Sequence, residues 1–323
     1  MSSASGSGDG SGRQPRMPKD VKGLLKFCAE TASSGQGEDT LEPMSAERRE
    51  WLEKAINDMT VSPVEEMKKC IEKIKDDKID DDDKIEALET LTEWCEHIDF
   101  AIDFHKIGGF VIFPLSFNSD DAEIRWQCLE VIASLVQMNP YCQAAVLQEG
   151  LLPVMLKILD TDNDPTVKTK ALYALSCLTR ECTDALEQFI SNDGFSYIMR
   201  AMQTDISKLK IKSAFMLSSI CTDNNKCKDT VCDTGMIDQL VGHLSEEHSN
   251  FHEHLLSALL TIVRDHPRSL DECGRSELNL VSTLLQKQQD LKGKEEYQEE
   301  LQYATELLGL LNTSNNTEQE AAR

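Results

Sequence analysis

The chain has 323 residues and a formal net charge of −24 at neutral pH. That charge excludes general nucleic-acid binding, because contacts to phosphates need a dense basic surface. No stretch approaches the run of about 18 apolar residues that spans a membrane, and residues 1–16 lack the apolar core of a signal peptide. The eleven cysteines lie mostly among apolar neighbours in helical patterns. We therefore expect free thiols in a cytosolic protein, with a nuclear location as the alternative.

Residues 1–16 are rich in Gly and Ser, and residues 33–42 in Gly, Ser and Glu, so we expect residues 1–44 to be disordered apart from one short module. The module is residues 18–32, PKDVKGLLKFCAETA, in which Val21, Leu24 and Leu25 share an apolar face. Alone it is too short for a stable helix in water. Two interpretations stay open, since the module could dock on its own chain or serve as a linear motif for a partner.

Residues 45–79 are predicted to form N-terminal helices that pack on the body of the protein. The sequence Ser62-Pro63-Val64-Glu65 is a capping box with proline at the first helical position, so a helix should begin there. The acidic run at residues 76–84, DDKIDDDDK, lacks the ligand spacing and the turn glycine of an EF-hand. We interpret it as a solvated loop and the acidic start of the next helix.

Residues 80–312 repeat one helical unit about every 42 residues, as when Leu172, Leu175 and Leu178 recur as Ala214, Leu217 and Ile220. Glycines mark the same period, and we expect them to take the left-handed conformation at helix ends. They are Gly109, Gly150, Gly194, Gly235 and Gly274. Further apolar triplets step by three residues, as one helix face requires. These are Ile85/Leu88/Leu91, Leu129/Ile132/Leu135 and Leu256/Leu259/Ile262. The pattern predicts an all-α, right-handed helical solenoid.

Helix starts are indicated by Asp120 with Glu123, by Asp164-Pro165, and by Asn250 with Glu253. A capping hairpin from about residue 277 to residue 311 departs from the glycine period, as the terminal repeats of solenoids do. Residues 313–323 are expected to be a disordered tail.

Neither a catalytic motif nor a cofactor motif is found, and we expect a protein that is not an enzyme. The densest polar group contains His243, His248, His252 and His254. Zinc ligands need a common face, but His252 and His254 diverge on a helix, so a capped helix start is the simpler interpretation. No metal or cofactor is predicted.

Function is therefore expected on the surface, because the longest helix of each repeat in such a solenoid lines a concave groove that binds partners. The run KLKIK places three lysines at the start of one groove helix in an acidic chain. It is either a solvated helix entry or a basic contact for an acidic protein surface. The predicted partner-binding residues are Ala101, Arg125, Lys168, Lys170, Tyr173, Lys208, Lys210, Lys212 and Phe215.

The repeat resembles the armadillo repeat. Armadillo proteins that read nuclear-localisation peptides carry Trp and Asn on each groove helix. This chain has Glu130, Tyr173, Phe215 and Ser257 at the Trp position, and Ser134, Cys177, Ser219 and Thr261 at the Asn position. The departure argues against peptide import.

Closer motifs are MSAERREWLEKAI, VKTKALYALSCL, DGFSYIMRAMQ, KLKIKSAFML, FHEHLLSAL and EEYQEEL. Together they resemble the Hsp70-binding-protein-one family, which are armadillo-type nucleotide exchange factors of the 70-kDa heat-shock chaperone. The resemblance implies a monomeric co-chaperone whose groove binds the chaperone's ATPase domain, promotes nucleotide release and modulates or inhibits chaperone activity.

The resemblance also implies specific contacts. Ala101 and Lys212 are the strongest candidates for binding the ATPase domain, followed by Lys208, Lys210, Tyr173 and Phe215. Residues 18–32 resemble the family's short N-terminal module, so Val21, Leu24 and Leu25 would form a client-release motif for the chaperone's peptide-binding domain. The alternative function is a generic armadillo scaffold or adaptor, for example one that regulates chaperone-linked ubiquitin ligation.

Overall fold

The computed structural model describes residues 62–321, and side chains are described for residues 62–313. The stacked helices form one compact unit that begins at Met67. Over the described residues the chain forms seventeen α-helices and three short 3₁₀ helices, and that part of the chain contains no strand. The predicted all-α class is confirmed.

The first nine α-helices in chain order are α1 (Pro63–Lys75), α2 (Asp81–Cys95), α3 (Ile98–Lys106), α4 (Ile112–Phe117), α5 (Ala122–Val136), α6 (Pro140–Gln148), α7 (Leu151–Thr161), α8 (Pro165–Thr179) and α9 (Thr183–Ser191). The other eight are α10 (Gly194–Met202), α11 (Ser207–Cys221), α12 (Asn225–Asp233), α13 (Met236–Leu244), α14 (Phe251–Val263), α15 (Pro267–Gly274), α16 (Leu280–Leu291) and α17 (Gln298–Ala321). The 3₁₀ helices are Gly109–Val111, Ser276–Leu278 and Glu295–Tyr297.

Three helices make up each repeat, and the third is the longest in all five of them. The repeats are α3–α5, α6–α8, α9–α11, α12–α14 and α15–α17. Helix α2, which precedes the first repeat, and the third helices pack side by side in chain order, with α2 on α5, α5 on α8, α8 on α11, α11 on α14, and α14 on α17. This series is the continuous stack that a helical solenoid requires.

The apolar triplets form the contacts between neighbouring repeats. Leu175 is fully buried, as the repeat register predicts, and so are its equivalents on the adjoining helices, Ile132 and Leu217. The exception among the triplets is Ile85, which is half-buried on α2. The period read from the sequence therefore gives the correct core face of each long helix.

Two of the five periodic glycines have the predicted left-handed conformation, Gly150 with φ of 68° and Gly235 with φ of 66°. At Gly109 and Gly194 the prediction is wrong, because the preceding residue takes the left-handed conformation instead. Both of these glycines lie against a buried ring, and a Cβ at Gly194 would be 2.5 Å from Phe189. Gly274, the fifth, ends α15 with ordinary φ. Close packing therefore accounts for glycine at Gly109 and Gly194, whereas neither φ nor close packing explains Gly274.

Some of the predicted helix-capping residues cap their helices in the structure, and others do not. The carboxylate of Asp164 caps α8, and Asp80 caps α2 within the acidic run. Before α5 the capping residue is Asp121 and not Asp120. Asn250 does not cap α14, because its backbone is already helical and its side chain accepts no capping hydrogen bond.

Within two of the repeats, a buried polar side chain of the first helix bonds to the end of the long third helix. Nε2 of Gln143 donates to the carbonyl oxygen of Arg180 at 3.3 Å, and Nζ of Lys228 donates to the carbonyl oxygen of Arg264 at 2.6 Å. Arg180 and Arg264 are the C-cap residues that directly follow α8 and α14. Each donor thus satisfies a terminal carbonyl that has no partner inside its own helix.

The cysteines fit the predicted reduced state where they are described. Cys128, Cys177 and Cys221 are buried free thiols, and burial raises the pKa of each. Cys232 is half-buried, with its Sγ 3.2 Å from Oγ of Ser269. Within the described range no single helix is long and apolar enough to cross a membrane, although two sharply bent helix pairs pass the same test.

The described residues cover only part of the predicted N-terminal region and extend past the predicted capping hairpin. Of residues 45–79, the structure describes only the part from residue 62 onward, where α1 begins at Pro63 as the capping box predicts. The disorder predicted for residues 1–44 lies outside the described residues. At the other end, α17 continues to Ala321, past the predicted end of the hairpin at Leu311.

Candidate partner-binding groove

The third helices of the repeats leave one face uncovered, which we call the groove face. Its central row is Glu130, Tyr173, Phe215 and Ser257, on α5, α8, α11 and α14. Phe215 is exposed, and the other three side chains are half-buried. These four residues occupy equivalent positions about 42 residues apart, so the structure brings them into one line across the stack.

A second row runs beside the first and is mainly basic. It contains Lys170 on α8, Lys212 on α11 and His254 on α14, again 42 residues apart. Nζ of Lys170 is 2.5 Å from Oε2 of Glu130 and lies 5.5 Å from the ring centre of Trp126. The charge of Lys170 is therefore already balanced within the chain.

Lys212 is placed differently. Its Nζ lies 5.3 Å from the ring centre of Tyr173, and among the described residues its ammonium has no ion-pair or hydrogen-bond partner. The neighbouring Cys177 and burial raise the pKa of Tyr173 to about 12, so the phenol stays neutral at neutral pH. Lys212 thus offers an unneutralised positive charge on an aromatic platform.

Phe215 is the most exposed ring of this part of the groove face, with 56% of its surface accessible. Its ring centre is 4.6 Å from that of His254 on the next repeat. Tyr173, Lys212 and Phe215 also line a pocket of about 310 Å³ between α8 and α11. The remaining lining residues are Leu172, Ser176, Arg180, Met216 and Ser219. An aromatic side chain next to a free cation suits the centre of a protein interface.

The other lysines of the KLKIK run are arranged around this centre. Lys208 is exposed, and no ion pair or hydrogen bond of its ammonium is found over the described range. Lys210 lies 3.9 Å from the carboxylate of Glu246 and 5.6 Å from the ring centre of Phe251. Lys208 is therefore available to a partner, whereas Lys210 is partly engaged.

Two residues predicted to bind a partner hold the fold together. Nε of Arg125 donates to Oδ2 of Asp162 at 2.8 Å, and this hydrogen bond raises the pKa of Arg125. Nζ of Lys168 donates to the carbonyl oxygen of Asp160 at 2.7 Å. Both cations thereby fix the end of α7, and both residues are half-buried.

Ala101 corrects the prediction most clearly. It lies on the short helix α3, not on a groove helix, and only 1% of its surface is accessible. Its methyl group therefore cannot contact a partner, because it lies on the face of α3 that packs against the rest of the protein. The sequence places Ala101 just past the end of α2, but sequence distance alone does not show which face of α3 turns to solvent.

Sequence reasoning missed Trp126, Arg180 and His254 as parts of this surface. The period could have found His254, since it lies 42 residues after Lys212. No such signal marks Trp126, because its contact with Lys170 depends on how α5 and α8 pack. The predicted client-release residues Val21, Leu24 and Leu25 lie outside the described residues.

The histidines singled out in the sequence separate into different environments. His243 contacts Glu246 at 2.7 Å within one turn, and His254 packs on Phe215. His248 and His252 meet Glu300 of α17, with their ligand-type atoms within 4.8 Å of one another. A metal could be held by these three residues, a grouping that the sequence could not reveal because Glu300 lies in another repeat.

Two family models match the chain. The model described as the SIL1/FES1/HPBP1 C-terminal domain matches residues 100–225, and that of the nucleotide exchange factor Fes1 matches residues 21–104. Hsp70-binding protein 1 of Mus musculus is 39% identical over 321 residues, which cover 95% of this chain and 90% of the relative. The chain belongs to the Hsp70-binding protein 1 family. The resemblance found in the sequence motifs is confirmed.

Further relatives match the chain, and a solved structure shares its fold. Hsp70-binding protein 1 of Homo sapiens is 39% identical to this chain over an alignment that covers 91% of this chain and 85% of the relative. The Hsp70 nucleotide exchange factor FES1 of Eremothecium gossypii is 25% identical, with 51% of this chain and 59% of that relative covered. A designed armadillo repeat protein shares the fold, with a TM-score of 0.60 at 15% identity over 75% of this chain and 98% of that one.

Proposed function

We propose that this chain is a co-chaperone that binds the ATPase domain of the 70-kDa heat-shock chaperone and promotes release of its nucleotide. Family membership supports the activity, because the relatives carry the names Hsp70-binding protein 1 and nucleotide exchange factor. The observation that carries the proposed contact is the free charge of Lys212 beside exposed Phe215 on the groove face of a chain with net charge −24.

The mechanism rests on differential binding. A groove partner can shift the chaperone towards a state with an open nucleotide cleft only by binding that state more tightly. A difference of about 1.4 kcal/mol changes the equilibrium tenfold. Linkage then requires nucleotide to weaken the complex by the same factor. The groove face therefore acts as a competitor of nucleotide, although the two bind different surfaces of the chaperone.

The proposed contact residues are those whose side chains are exposed or whose charges are not already paired within the chain. Lys212 and Phe215 form the centre, with Tyr173 beneath Lys212 and Lys208 at the rim. Lys170 and Lys210 contribute less, since Glu130 and Glu246 balance their charges. Arg125, Lys168 and Ala101 act only indirectly, through the packing of the helices that carry the groove face.

Release of a fluorescent nucleotide from the purified chaperone tests the proposal. Lys212→Glu and Phe215→Ala should each raise the concentration needed for half-maximal release at least tenfold, or about 1.4 kcal/mol. Reversal of charge places like charges together at the interface, and loss of the ring removes its apolar contact. Circular dichroism should show unchanged helix content, because both side chains lie at the surface.

Lys226→Glu is the matched control. Lys226 lies on α12, away from the groove face, where two-thirds of its side chain is exposed and it pairs with Glu187 at 3.5 Å. The same charge reversal there should leave nucleotide release unchanged. If Lys212→Glu and Phe215→Ala release nucleotide as the parent does, the proposed contact is wrong.

A scaffold or adaptor is the competing function, and added ATP separates the two. An exchange factor should lose the chaperone from a pull-down when ATP is added, because nucleotide and groove compete through linkage. A scaffold should retain the chaperone under both conditions. We also infer a monomer in a reducing compartment such as the cytosol or nucleus, in keeping with the buried free thiols of Cys128, Cys177 and Cys221.

A further inference from the structure

Four side chains from three helical segments meet near the C-terminal end of the stack. His248 precedes α14, His252 lies in its first turn, Lys287 is on α16, and Glu300 is on α17. Lys287 and Glu300 are buried, with accessible fractions of 8% and 1%, and His252 is buried as well. A buried carboxylate, ammonium and imidazole at one place are costly unless each is well paired.

The hydrogen bonds show where the lone pairs point. Nζ of Lys287 donates to Oε1 of Glu300 at 3.0 Å and lies 2.8 Å from Nδ1 of His252. An ammonium has only donors, so Nδ1 of His252 accepts and directs its lone pair at Nζ. The other carboxylate oxygen, Oε2 of Glu300, lies 2.8 Å from Nε2 of His248. The cluster thus surrounds one cation with nitrogen and oxygen acceptors.

We propose that His248, His252 and Glu300 form a binding site for a divalent transition metal, with Zn²⁺ as the best fit, whose place Lys287 takes in the metal-free chain. Two imidazoles and one carboxylate are a ligand set that zinc accepts with a fourth position left for water. Their ligand atoms already lie within 4.8 Å of one another, so small side-chain rotations bring them to a common centre.

Metal binding requires two local changes. The ammonium of Lys287 moves away with its proton, because two cations do not share one buried site. Nε2 of His248, which donates to Glu300, must present its lone pair, so the proton of the neutral ring is carried on Nδ1 instead. A pocket of about 730 Å³ adjoins the cluster and gives room for the displaced ammonium and for water. Asp290, one turn along α16 from Lys287, also lines this pocket and offers the ammonium a new carboxylate.

Titration of the full-length chain with Co²⁺ as a spectroscopic probe, followed by competition with Zn²⁺, tests the site. We expect one equivalent to give the visible bands of four-coordinate Co²⁺ without a thiolate charge-transfer band, since none of the three ligands is a cysteine. Zn²⁺ should remove the bands. His248→Ala, at a side chain that is one-third exposed, should weaken binding about 100-fold while the helix content stays unchanged.

Two further variants sharpen the test. Lys287→Gln removes the competing ammonium and should tighten Zn²⁺ binding about tenfold, an effect that a cluster of merely structural hydrogen bonds would not produce. His254→Ala is the matched control, because this histidine is on the same helix but packs on Phe215, and it should bind Co²⁺ as the parent does.

The proposal is overturned if the parent gives no visible bands, if a thiolate band accompanies them, or if His248→Ala binds Co²⁺ as tightly as His254→Ala does. Each result would identify the cluster as a buried ion pair only, or would place the metal on cysteines. None of them bears on nucleotide release, which depends on the groove face and is measured separately.

Discussion

Arg125 and Asp162 illustrate how single residues fix the ends of the repeats. Their side chains are mostly buried, at 16% and 10% exposure, and the guanidinium also donates to the carbonyl oxygens of Ser119 and Asp120. Burial is the largest single influence on the pKa of Asp162 and raises it. The hydrogen bonds from Arg125 and from the backbone N–H of Asp164, together with the positive charges of Arg125 and Lys168, outweigh burial, so the pKa lies below its ordinary value. The pair therefore stabilises the fold most when the carboxyl group is ionised.

The pH dependence follows from that sign. A carboxyl whose pKa is lowered by folding contributes stability at pH values above its unfolded pKa of about 3.9, and the contribution is lost as the pH falls through the folded pKa. Asp162→Asn should lower the free energy of unfolding by about 1–3 kcal/mol at pH 7. Below pH 4 the difference between variant and parent should shrink.

Urea denaturation at pH 7 and at pH 3 measures this difference. Glu253→Gln serves as a control, since Glu253 is half-buried and its carboxylate is 3.9 Å from His254. A difference between Asp162→Asn and the parent that is equally large at both pH values would contradict the assigned sign.

The groove residues show how far sequence reasoning reaches at this scale. The 42-residue period predicts that Tyr173 and Phe215 occupy equivalent places, and the structure confirms this. Arg125 and Lys168 are also on predicted surface positions, but their charges are used by Asp162 and by the carbonyl oxygen of Asp160. Periodicity predicts which face of a helix a residue lies on. It does not predict which group a long side chain pairs with, because that depends on the helix packed beside it.

At the level of elements, close packing of short helices decides where glycine is required. Gly194 begins α10, and the ring of Phe189 from the preceding helix α9 lies where its Cβ would be. The same arrangement joins Gly109 and Phe104 two repeats earlier. Phe189 and Phe104 are fully buried, so neither ring has room to move aside.

Gly194→Ala should therefore lower the free energy of unfolding by about 1–3 kcal/mol through overpacking. Gly242→Ala is the matched comparison, because Gly242 is also helical but nothing lies within 4 Å of its added Cβ. That variant should be unchanged or gain up to about 1 kcal/mol from better helix propensity. Thermal unfolding followed by circular dichroism distinguishes them, and equal melting temperatures would show that the Phe189 contact is not limiting.

Element types were predictable here, while some boundaries were not. The pattern at Asp164-Pro165 predicts the start of α8 correctly, because a capping carboxylate and a fixed proline φ act locally. Asn250 looks equally suitable but does not cap α14, since helical geometry already includes its backbone. The left-handed non-glycine residues before the first helices of the repeats, such as Met138 and Asp223, carry no comparable sequence signal.

At the scale of the whole molecule, the client-release role of the N-terminal module (residues 18–32) remains a prediction. It can be tested separately from the role of the groove face. The match to the Fes1 family model begins at residue 21, so it includes Val21, Leu24 and Leu25. A chaperone that binds short apolar peptides would accept this apolar face as a substitute client. Tethering gives the module an effective concentration of about the millimolar range, so weak intrinsic affinity suffices.

Deletion of residues 1–34 should leave nucleotide release intact, because the groove face is unchanged, but should slow the release of a bound client peptide. Leu24→Ser combined with Leu25→Ser should reproduce that effect in a chain of full length. The two rates can be followed with fluorescent nucleotide and fluorescent peptide. Equal rates of peptide release from the truncated and intact proteins would refute the client-release motif.

The buried links from Gln143 to Arg180 and from Lys228 to Arg264 each connect residues about one period apart. Contacts of this kind close only short stretches of chain, so their entropic cost is small and folding can spread from one unit to the next. Because synthesis proceeds at about 5–20 residues per second, an early repeat has time to form before the following one is made. The stack can therefore be assembled progressively on the ribosome, since in these two repeats the first helix supplies the donor for the end of the repeat's own long helix.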